Sequence, residues 1–192
     1  MSYEYDVFFS YKHSPRSLHW HCEVKDCLEE WLTHALGGKS SRIFMDKESI
    51  TTGDRWRDSL RHALKHSKCL VAIWSPAYFQ SRYCLSEWEA FRKREALCDL
   101  GVKGLVAPIQ YHDFEFFPQD AKQIQMTDFR EHTSLLPAYW DTRDAVVLGE
   151  KIRVFAESVA RIINSAPPFD PSWPAELLDH KPLQPSIELA KL

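Results

Sequence analysis

Two short apolar runs decide the fold of this chain: Tyr5-Asp6-Val7-Phe8-Phe9-Ser10 and Cys69-Leu70-Val71-Ala72-Ile73-Trp74. Their apolar residues are continuous rather than alternating with polar ones, which is typical of strands that are buried on both faces of a sheet. Parallel strands need crossover connections, and helices usually provide them. The two runs therefore predict a parallel sheet that is covered by helices on both faces.

Between the two runs, apolar residues recur at helical spacing in two stretches. The first stripe comprises Val24, Cys27, Leu28, Trp31, Leu32 and Ala35, and the second comprises Trp56, Leu60, Ala63 and Leu64. Gly37-Gly38 ends the first helix, because glycine readily adopts the left-handed conformation found there. A short strand over Arg42-Ile43-Phe44-Met45 and a polar loop from Asp46 to Gly53 separate the two helices.

The second half of the chain continues this alternation. Ser75-Pro76 indicates a helix start, with the hydroxyl as cap and proline at the first position. Further helices are predicted at about 84–100 and 144–164, and further strands at 105–109 and 124–126. The order β-α-β-α-β-α-β-(α)-β-α predicts an α/β, flavodoxin-like fold with five parallel strands in the order 2-1-3-4-5.

The composition changes after residue 165. Prolines at 167, 168, 171, 174, 182 and 185 indicate an extended segment rather than a helix or a strand. We therefore predict a domain at 1–165 and a proline-rich C-terminal tail at 166–192. The tail should be ordered only where Phe169 and Trp173 cover a surface.

The totals indicate an ordinary globular protein, since 44% of the residues are hydrophobic and 27% are charged. A net charge of -3 gives no polycationic face for nucleic acid or anionic lipid. The chain has five cysteines without a CxxC pair, no signal peptide and no apolar run of about 18 residues. We expect a cytoplasmic protein with no direct nucleic-acid or membrane partner.

A cluster of possible metal ligands occurs at His19, His21 and Cys22. Neighbours at i and i+2 of a helix point apart, and no second pair with suitable ligand spacing is apparent. The sequence therefore predicts no metal site.

Polar residues converge where the strand order reverses, which is where ligands bind in open α/β sheets. Ser10-Tyr11-Lys12 follows the first strand, Asp46 the second and Ser75 the third, and Glu87 lies early in the next helix. The chain has neither G-x-G-x-x-G nor G-x-x-x-x-G-K-[ST], which excludes Rossmann-type and Walker-type phosphate sites. It also lacks the aspartate with which a phosphoacceptor receiver would end the third strand.

Three motifs resemble those of Toll/interleukin-1 receptor (TIR) domains. Tyr5-Asp6-Val7-Phe8-Phe9-Ser10-Tyr11 looks like the family's opening motif, and Phe44-Met45-Asp46 with the loop to Gly53-Asp54 looks like its second strand and BB loop. Ser81-Arg82-Tyr83-Cys84-Leu85-Ser86-Glu87 is similar to its S-x-W-C-x-x-E helix motif, with tyrosine in place of tryptophan. The resemblance covers about residues 5–91 and implies the flavodoxin-like fold.

In enzymatic TIR domains the motif glutamate drives cleavage of the nicotinamide–ribose bond of NAD⁺, which is a substrate rather than a cofactor. The resemblance gives that catalytic role to Glu87 and places Tyr83 beside the nicotinamide or ribose. It places the remaining substrate-binding residues in two groups: Ser10, Tyr11 and Lys12 on the first-strand side, and Asp46, Trp56 and Arg57 on the BB-loop side. A short single-domain chain resembles the bacterial anti-phage signalling type, whose nucleotide product activates a separate effector.

Each of these assignments also has a purely structural interpretation. Glu87 alone could be a solvated helix charge, Asp46 a loop cap, Lys12 a surface lysine, and Trp56 a core residue. The resemblance also allows a non-catalytic interaction module, as in animal receptors and adaptors. Enzymatic members often self-associate through the BB loop, so we expect a homo-oligomer and an activating partner or effector.

Overall fold

The computed structural model describes residues 2–46, 54–98, 104–113, 115 and 117–177. Strands and helices alternate along the chain, and two 3₁₀ turns, Arg130–His132 and Pro137–Asp141, precede the last helix. The strands are β1 (Tyr5–Ser10), β2 (Ile43–Met45), β3 (Ser67–Trp74), β4 (Val106–Gln110) and β5 (Thr127–Asp128). The helices are α1 (Leu18–Ala35), α2 (Asp54–His66), α3 (Pro76–Phe79), α4 (Arg82–Leu97), α5 (Gln119–Lys122) and α6 (Arg143–Ser165).

The five strands form one parallel sheet in the order β2-β1-β3-β4-β5, which confirms the predicted topology. The pairing of β1 with β3 begins at Tyr5 and Ser67 and ends at Ser10 and Ala72. The strand order reverses between these two strands, so the cleft beyond their carboxyl ends is the expected ligand position.

Alternate residues of the central strands face opposite sides of the sheet, as the twofold period of a strand requires. One side packs against α1 and α6, and its strand residues are Val7, Phe9, Cys69, Val71, Ile73, Ala107 and Ile109. The other side packs against α2, α3 and α4, and its strand residues are Phe8, Leu70, Ala72, Trp74 and Val106. Both faces are therefore buried, which explains the continuous apolar runs in the sequence.

Helix boundaries agree with the sequence to within a few residues, except at the start of α1. This helix begins at Leu18, one and a half turns before the apolar stripe that starts at Val24. Gly37 and Gly38 have φ of 72° and 81°, and their N–H groups bond to carbonyls of the last helical turns. The predicted glycine stop is thus confirmed. Among the described residues, no helix is both long and apolar enough to cross a bilayer.

The predicted position of the fifth strand, 124–126, is wrong. The strand lies at Thr127–Asp128 and pairs with Ile109 and Gln110 of β4. Ile124 and Met126 instead pack against the core on the α2 and α4 side. At this edge of the sheet the strand is formed by polar residues, and the neighbouring apolar residues pack into the core instead. Hydrophobicity alone therefore misplaces the strand.

Part of the proline-rich segment packs on the domain. The hydroxyl of Tyr3 donates to the carbonyl of Pro167 at 3.0 Å, and the indole N–H of Trp173 donates to the Tyr3 hydroxyl at 3.1 Å. Phe169 stacks edge-on against Tyr3, with ring centroids 5.4 Å apart. Both aromatic residues singled out in the tail therefore cover a surface, although the boundary at 165 stays a prediction and residues 178–192 lie outside the described part.

Arg94 lies fully buried beneath this segment. Its guanidinium donates to the carbonyls of Ser67 at 2.7 Å and Leu64 at 3.1 Å, and it lies over the rings of Phe91 and Trp173. Burial lowers the pKa of the guanidinium to about 10, so it is still charged at neutral pH. One cation thus provides hydrogen-bond donors to carbonyls at the end of α2 and the start of β3, and it packs against the ring of Trp173.

Replacing Arg94 by methionine should destabilise the domain, because two buried carbonyls lose their donors. We expect the free energy of unfolding to fall by about 2–4 kcal/mol, measured by urea denaturation. Lys93→Met, at the exposed neighbouring position, is the matched control and should change it by less than about 0.5 kcal/mol. Equal effects of the two changes would contradict this role of the buried guanidinium.

Candidate active site

Glu87 lies in the second turn of α4 with its side chain 7% exposed, directly beyond the carboxyl end of β1. The helix begins at Arg82, because the Ser81 hydroxyl accepts a hydrogen bond from the N–H of Cys84. This start directs the side chain of Glu87 toward the sheet rather than toward solvent. The interpretation of Glu87 as a solvated helix charge is therefore wrong.

The Glu87 carboxylate accepts a hydrogen bond from the hydroxyl of Ser10 at 2.5 Å. Ser10 is the last residue of β1 and is itself 1% exposed. The structure thus places Ser10 against the candidate catalytic group, where it orients that group from behind. This position differs from the substrate-lining position expected from the sequence.

Tyr78 extends this chain of hydrogen bonds, and sequence reasoning missed it. Its hydroxyl lies 2.9 Å from the Ser10 hydroxyl and donates to the Cys84 carbonyl at 3.2 Å. With its proton directed to that carbonyl, Tyr78 leaves the Ser10 proton for Glu87. The available signal was the helix start at Ser75, since its hydroxyl caps the turn that carries Tyr78.

Burial raises the pKa of Glu87 to about 8, because the charged form loses its hydration. The Ser10 hydrogen bond lowers this pKa, and the negative charge of Asp46 raises it further. Glu87 therefore takes up or releases a proton near neutral pH. A carboxyl with such a perturbed pKa in a cleft is typical of functional sites.

Asp46 joins the BB-loop side of the cleft to the first strand. Its carboxylate accepts from the indole N–H of Trp56 at 2.7 Å, and its backbone carbonyl accepts from the Tyr11 hydroxyl at 2.6 Å. Asp46 therefore holds the start of the loop between α2 and the end of β1. The rest of the BB loop, residues 47–53, lies outside the described part of the chain.

Tyr83 stands one helical turn before Glu87, at the mouth of the cleft. Its ring makes an edge-on contact with Trp56, with centroids 5.4 Å apart, and its hydroxyl lies 3.5 Å from the Arg57 guanidinium. All three side chains are partly exposed. They form a ledge of two aromatic rings and one cation beside the buried carboxyl.

Lys12 is exposed and lies at the first-strand side, close enough to the thiol of Cys84 to lower its pKa. Burial outweighs that effect and raises the pKa of this thiol to about 12. Cys84 therefore stays a neutral thiol, which argues against a nucleophilic role. The remaining seven predicted residues lie around the cleft in two sets of contacts. Ser10 bonds to Glu87, and a second run joins Tyr11, Asp46, Trp56, Tyr83 and Arg57.

Two groups of histidines lie outside the cleft, on α1 and on α2. His21 is buried against Tyr11, its pKa lowered to about 3 by burial, which leaves it uncharged. The sequence predicts no second pair with suitable ligand spacing, and this prediction is wrong. His62 and His66, four residues apart on α2, lie together with Glu4, and their candidate ligand atoms fall within 4.8 Å of one another.

Comparison with known proteins identifies the family of the chain. The sequence profile of the TIR domain family matches residues 7–139. A curated relative from Brachypodium distachyon, the probable 2′ cyclic ADP-D-ribose synthase BdTIR, is 28% identical over 109 residues, which cover 54% of this chain. The chain spans about half the length of that relative, 49%.

Two solved structures resemble the fold at low similarity. The TIR domain of the Toll-related receptor TRR-2 from Hydra magnipapillata is 21% identical, with a TM-score of 0.44, over 78% of this chain and 98% of that one. The TIR domains of the activated Roq1 resistosome recognizing the effector XopQ are 18% identical, with a TM-score of 0.33, over 85% and 86%. The family profile spans more than half of the sequence, including the cleft and the helix that carries Glu87: the chain belongs to the TIR domain family.

Proposed function

We propose that this chain cleaves the nicotinamide–ribose bond of NAD⁺, with Glu87 as the catalytic carboxylate. The observation that carries the proposal is a single buried carboxyl, hydrogen-bonded to Ser10, at the switch point of the sheet. The plant relative is named a probable 2′ cyclic ADP-D-ribose synthase, and making such a product from NAD⁺ requires that this bond be broken, which supports the proposal.

The chemistry asks little more of the protein than this carboxylate. When the glycosidic bond breaks, its electron pair leaves with the pyridinium nitrogen, so nicotinamide departs neutral and needs no general acid. The ribose carbon becomes an oxocarbenium ion, and an adjacent carboxylate stabilises that charge and orients the ribose hydroxyls. Water then attacks to give ADP-ribose, or a hydroxyl of the same molecule attacks to give a cyclic ADP-ribose, which contains one water less; either route releases one proton.

The rest of the cleft suits the two ends of the substrate. The Tyr83 and Trp56 rings offer an apolar ledge for the nicotinamide and ribose, and Lys12 and Arg57 supply positive charge for the pyrophosphate. Tyr11 and Asp46 hold the walls together through their hydrogen bond. We place the reaction in the cytoplasm, in keeping with the five free cysteines of the structure.

Assembly is part of the proposal. We propose that copies of the chain associate through the BB-loop region to complete the cleft, so that the isolated monomer is poorly active. A separate effector or activating partner, a bacterial source and an anti-phage role stay predictions of the resemblance. A protein that only builds such assemblies is the alternative, and the experiments on Glu87 separate the two.

Replacing Glu87 by glutamine should abolish turnover, because the neutral amide cannot stabilise the developing cation. We expect NAD⁺ cleavage by concentrated or tethered protein to fall by roughly 100-fold or more, measured by chromatography of nicotinamide and of linear and cyclic ADP-ribose. Glu89→Gln, at the exposed position two residues on, is the matched control and should keep full activity. If the Glu87→Gln protein and the unchanged protein leave NAD⁺ equally intact under tethering, the interaction-module function stands instead.

Activity should rise with pH through the pKa of Glu87. The carboxyl is protonated below about 8 and ionised above it in the ligand-free protein, and only the ionised form stabilises the cation. Since kcat/KM reports ionisations of the free enzyme, we expect it to climb with pH and level off above about 8. A profile that is already flat between pH 5 and 9 would contradict a buried, protonated Glu87.

Ser10→Ala should move this profile to higher pH. The Ser10 hydroxyl lowers the pKa of Glu87 by donating to its charged form, so its loss leaves the carboxyl harder to ionise. We expect the rising limb of the kcat/KM profile to move to higher pH. At high pH, where the carboxyl is ionised in both proteins, kcat/KM of the variant should approach that of the unchanged protein. Ser158→Ala, which removes a hydroxyl that accepts from Arg161 on α6, across the sheet from α4, should leave the position of the limb unchanged.

A further inference from the structure

Glu4, His62 and His66 form a compact donor cluster away from the Glu87 cleft. Glu4 directly precedes β1, and the two histidines occupy the last turns of α2. The cluster thus lies at the amino end of β1, whereas Ser10 and Glu87 lie at its carboxyl end. Six residues of strand separate them by roughly 20 Å.

The backbone already holds the three side chains together. The N–H of Glu4 donates to the carbonyl of His66 at 3.0 Å, and the next residues, Tyr5 and Ser67, are paired in the sheet. The two histidines stand four residues apart on one helix face, with their rings stacked at 4.1 Å. The donors therefore come from elements whose relative position is fixed by the fold, which is what a preformed metal site needs.

The donor spacing fits a small tetrahedral cation. One carboxylate oxygen of Glu4 lies 3.0 Å from Nε2 of His62, and the other lies 3.6 Å from Nδ1 of His66. Ligands of zinc at 2.0–2.1 Å in a tetrahedron are separated by about 3.3 Å. One ligand atom from each of the three residues lies within 4.8 Å of the other two, so small side-chain rotations bring them to that spacing. The ion would enter from solvent, since the side chains of Glu4 and His62 are about half exposed, at 46% and 51%.

His66 makes two further contacts. Its Nδ1 donates to the carbonyl of Ser2 at 3.0 Å. A metal at Nδ1 would displace this hydrogen bond, and the ring would then carry its proton on Nε2. The ring of His66 also packs against Phe169 at 4.7 Å, which limits its rotation.

We propose that Glu4, His62 and His66 form a zinc site, with a fourth position open to water, that fastens the segment before β1 to the end of α2. Two imidazoles and one carboxylate are a donor set that zinc uses in proteins, and imidazole selects it over calcium or magnesium. Because Phe169 rests on His66, the occupied site also stiffens the contact that holds the residues after α6. The inference does not rest on the proposed NAD⁺ cleavage.

Isothermal titration calorimetry of tag-free, metal-stripped protein with Zn²⁺ tests the site directly. We expect one equivalent to bind, and Co²⁺ to give the visible absorption bands of a four-coordinate ion. The melting temperature should rise by roughly 5–10 °C when free Zn²⁺ is about a hundred times its Kd. Binding of no equivalent, or only of weak and unsaturable zinc, would overturn the proposal.

Three variants locate the ion. Glu4→Gln, His62→Ala and His66→Ala should each weaken zinc binding by more than about tenfold, the loss that even an outer-layer partner produces. His34→Ala is the matched control, because His34 and Glu30 form an exposed two-donor pair at 3.4 Å on α1; it should bind zinc as the unchanged protein does. Equal losses in His34→Ala, or none in His62→Ala, would overturn the assignment.

Folding is kept separate from binding in this design. His66→Ala loses packing on Phe169 and should lower the melting temperature even without metal, so its result is not used alone. Glu4→Gln and His62→Ala change half-exposed side chains and should melt as the unchanged protein does in the absence of metal. A zinc-dependent rise in melting temperature that survives in both of these variants would contradict the site.

Discussion

The parallel pairing of β1 with β3 sets the geometry of both ends of the molecule. At the carboxyl end it places Ser10 beside Ala72, so the hydroxyl of Ser10 meets α3 and α4, the two helices that follow β3. At the amino end it places Tyr5 beside Ser67, so Glu4 meets the last turn of α2. A register shift of one residue would turn Ser10 to the other face and separate Glu4 from His66. The buried apolar faces of β1 enforce that register, and the polar residues at its two ends depend on it.

Keeping a carboxyl group buried at the end of such a strand costs free energy, which sets how the cleft can work. The fold offers Glu87 one hydroxyl donor and no cation in direct contact among the described residues, so the neutral acid is favoured in the ligand-free state. A pyridinium or oxocarbenium charge in the cleft would reverse that preference. On the proposed function, the empty cleft disfavours the charged form of Glu87, and the positive charge of the bound substrate stabilises it. A carboxylate on the surface lacks this property because water already stabilises its charge.

The sequence predicts the sheet well because the evidence is collective. Val7, Phe9, Val71 and Ile73 fill one face together, and no single error changes the order of strands. Local features are harder to predict. β5 is set by edge pairing of Thr127 and Asp128 rather than by hydrophobicity, and the role of Tyr78 depends on a hydroxyl that meets Ser10 across 68 positions of sequence. Contacts of this kind follow from the packed fold, and nothing in local spacing encodes them.

The tyrosine at position 83 departs from the tryptophan usual in the motif, and its contacts suggest how the cleft accommodates it. The ring meets Trp56 edge-on, and Trp56 in turn donates to Asp46. The phenol hydroxyl accepts a hydrogen bond from the Arg57 guanidinium, a contact that an indole cannot make because its N–H only donates. α2, α4 and the end of β2 are thereby linked through one run of side chains that leads to the start of the BB loop. On the proposed function, in which copies associate through the BB-loop region, a displacement of Asp46 would pass through Trp56 to the Tyr83 ring, one helical turn from Glu87. The aromatic ledge thus connects the proposed contact region with the candidate catalytic carboxyl.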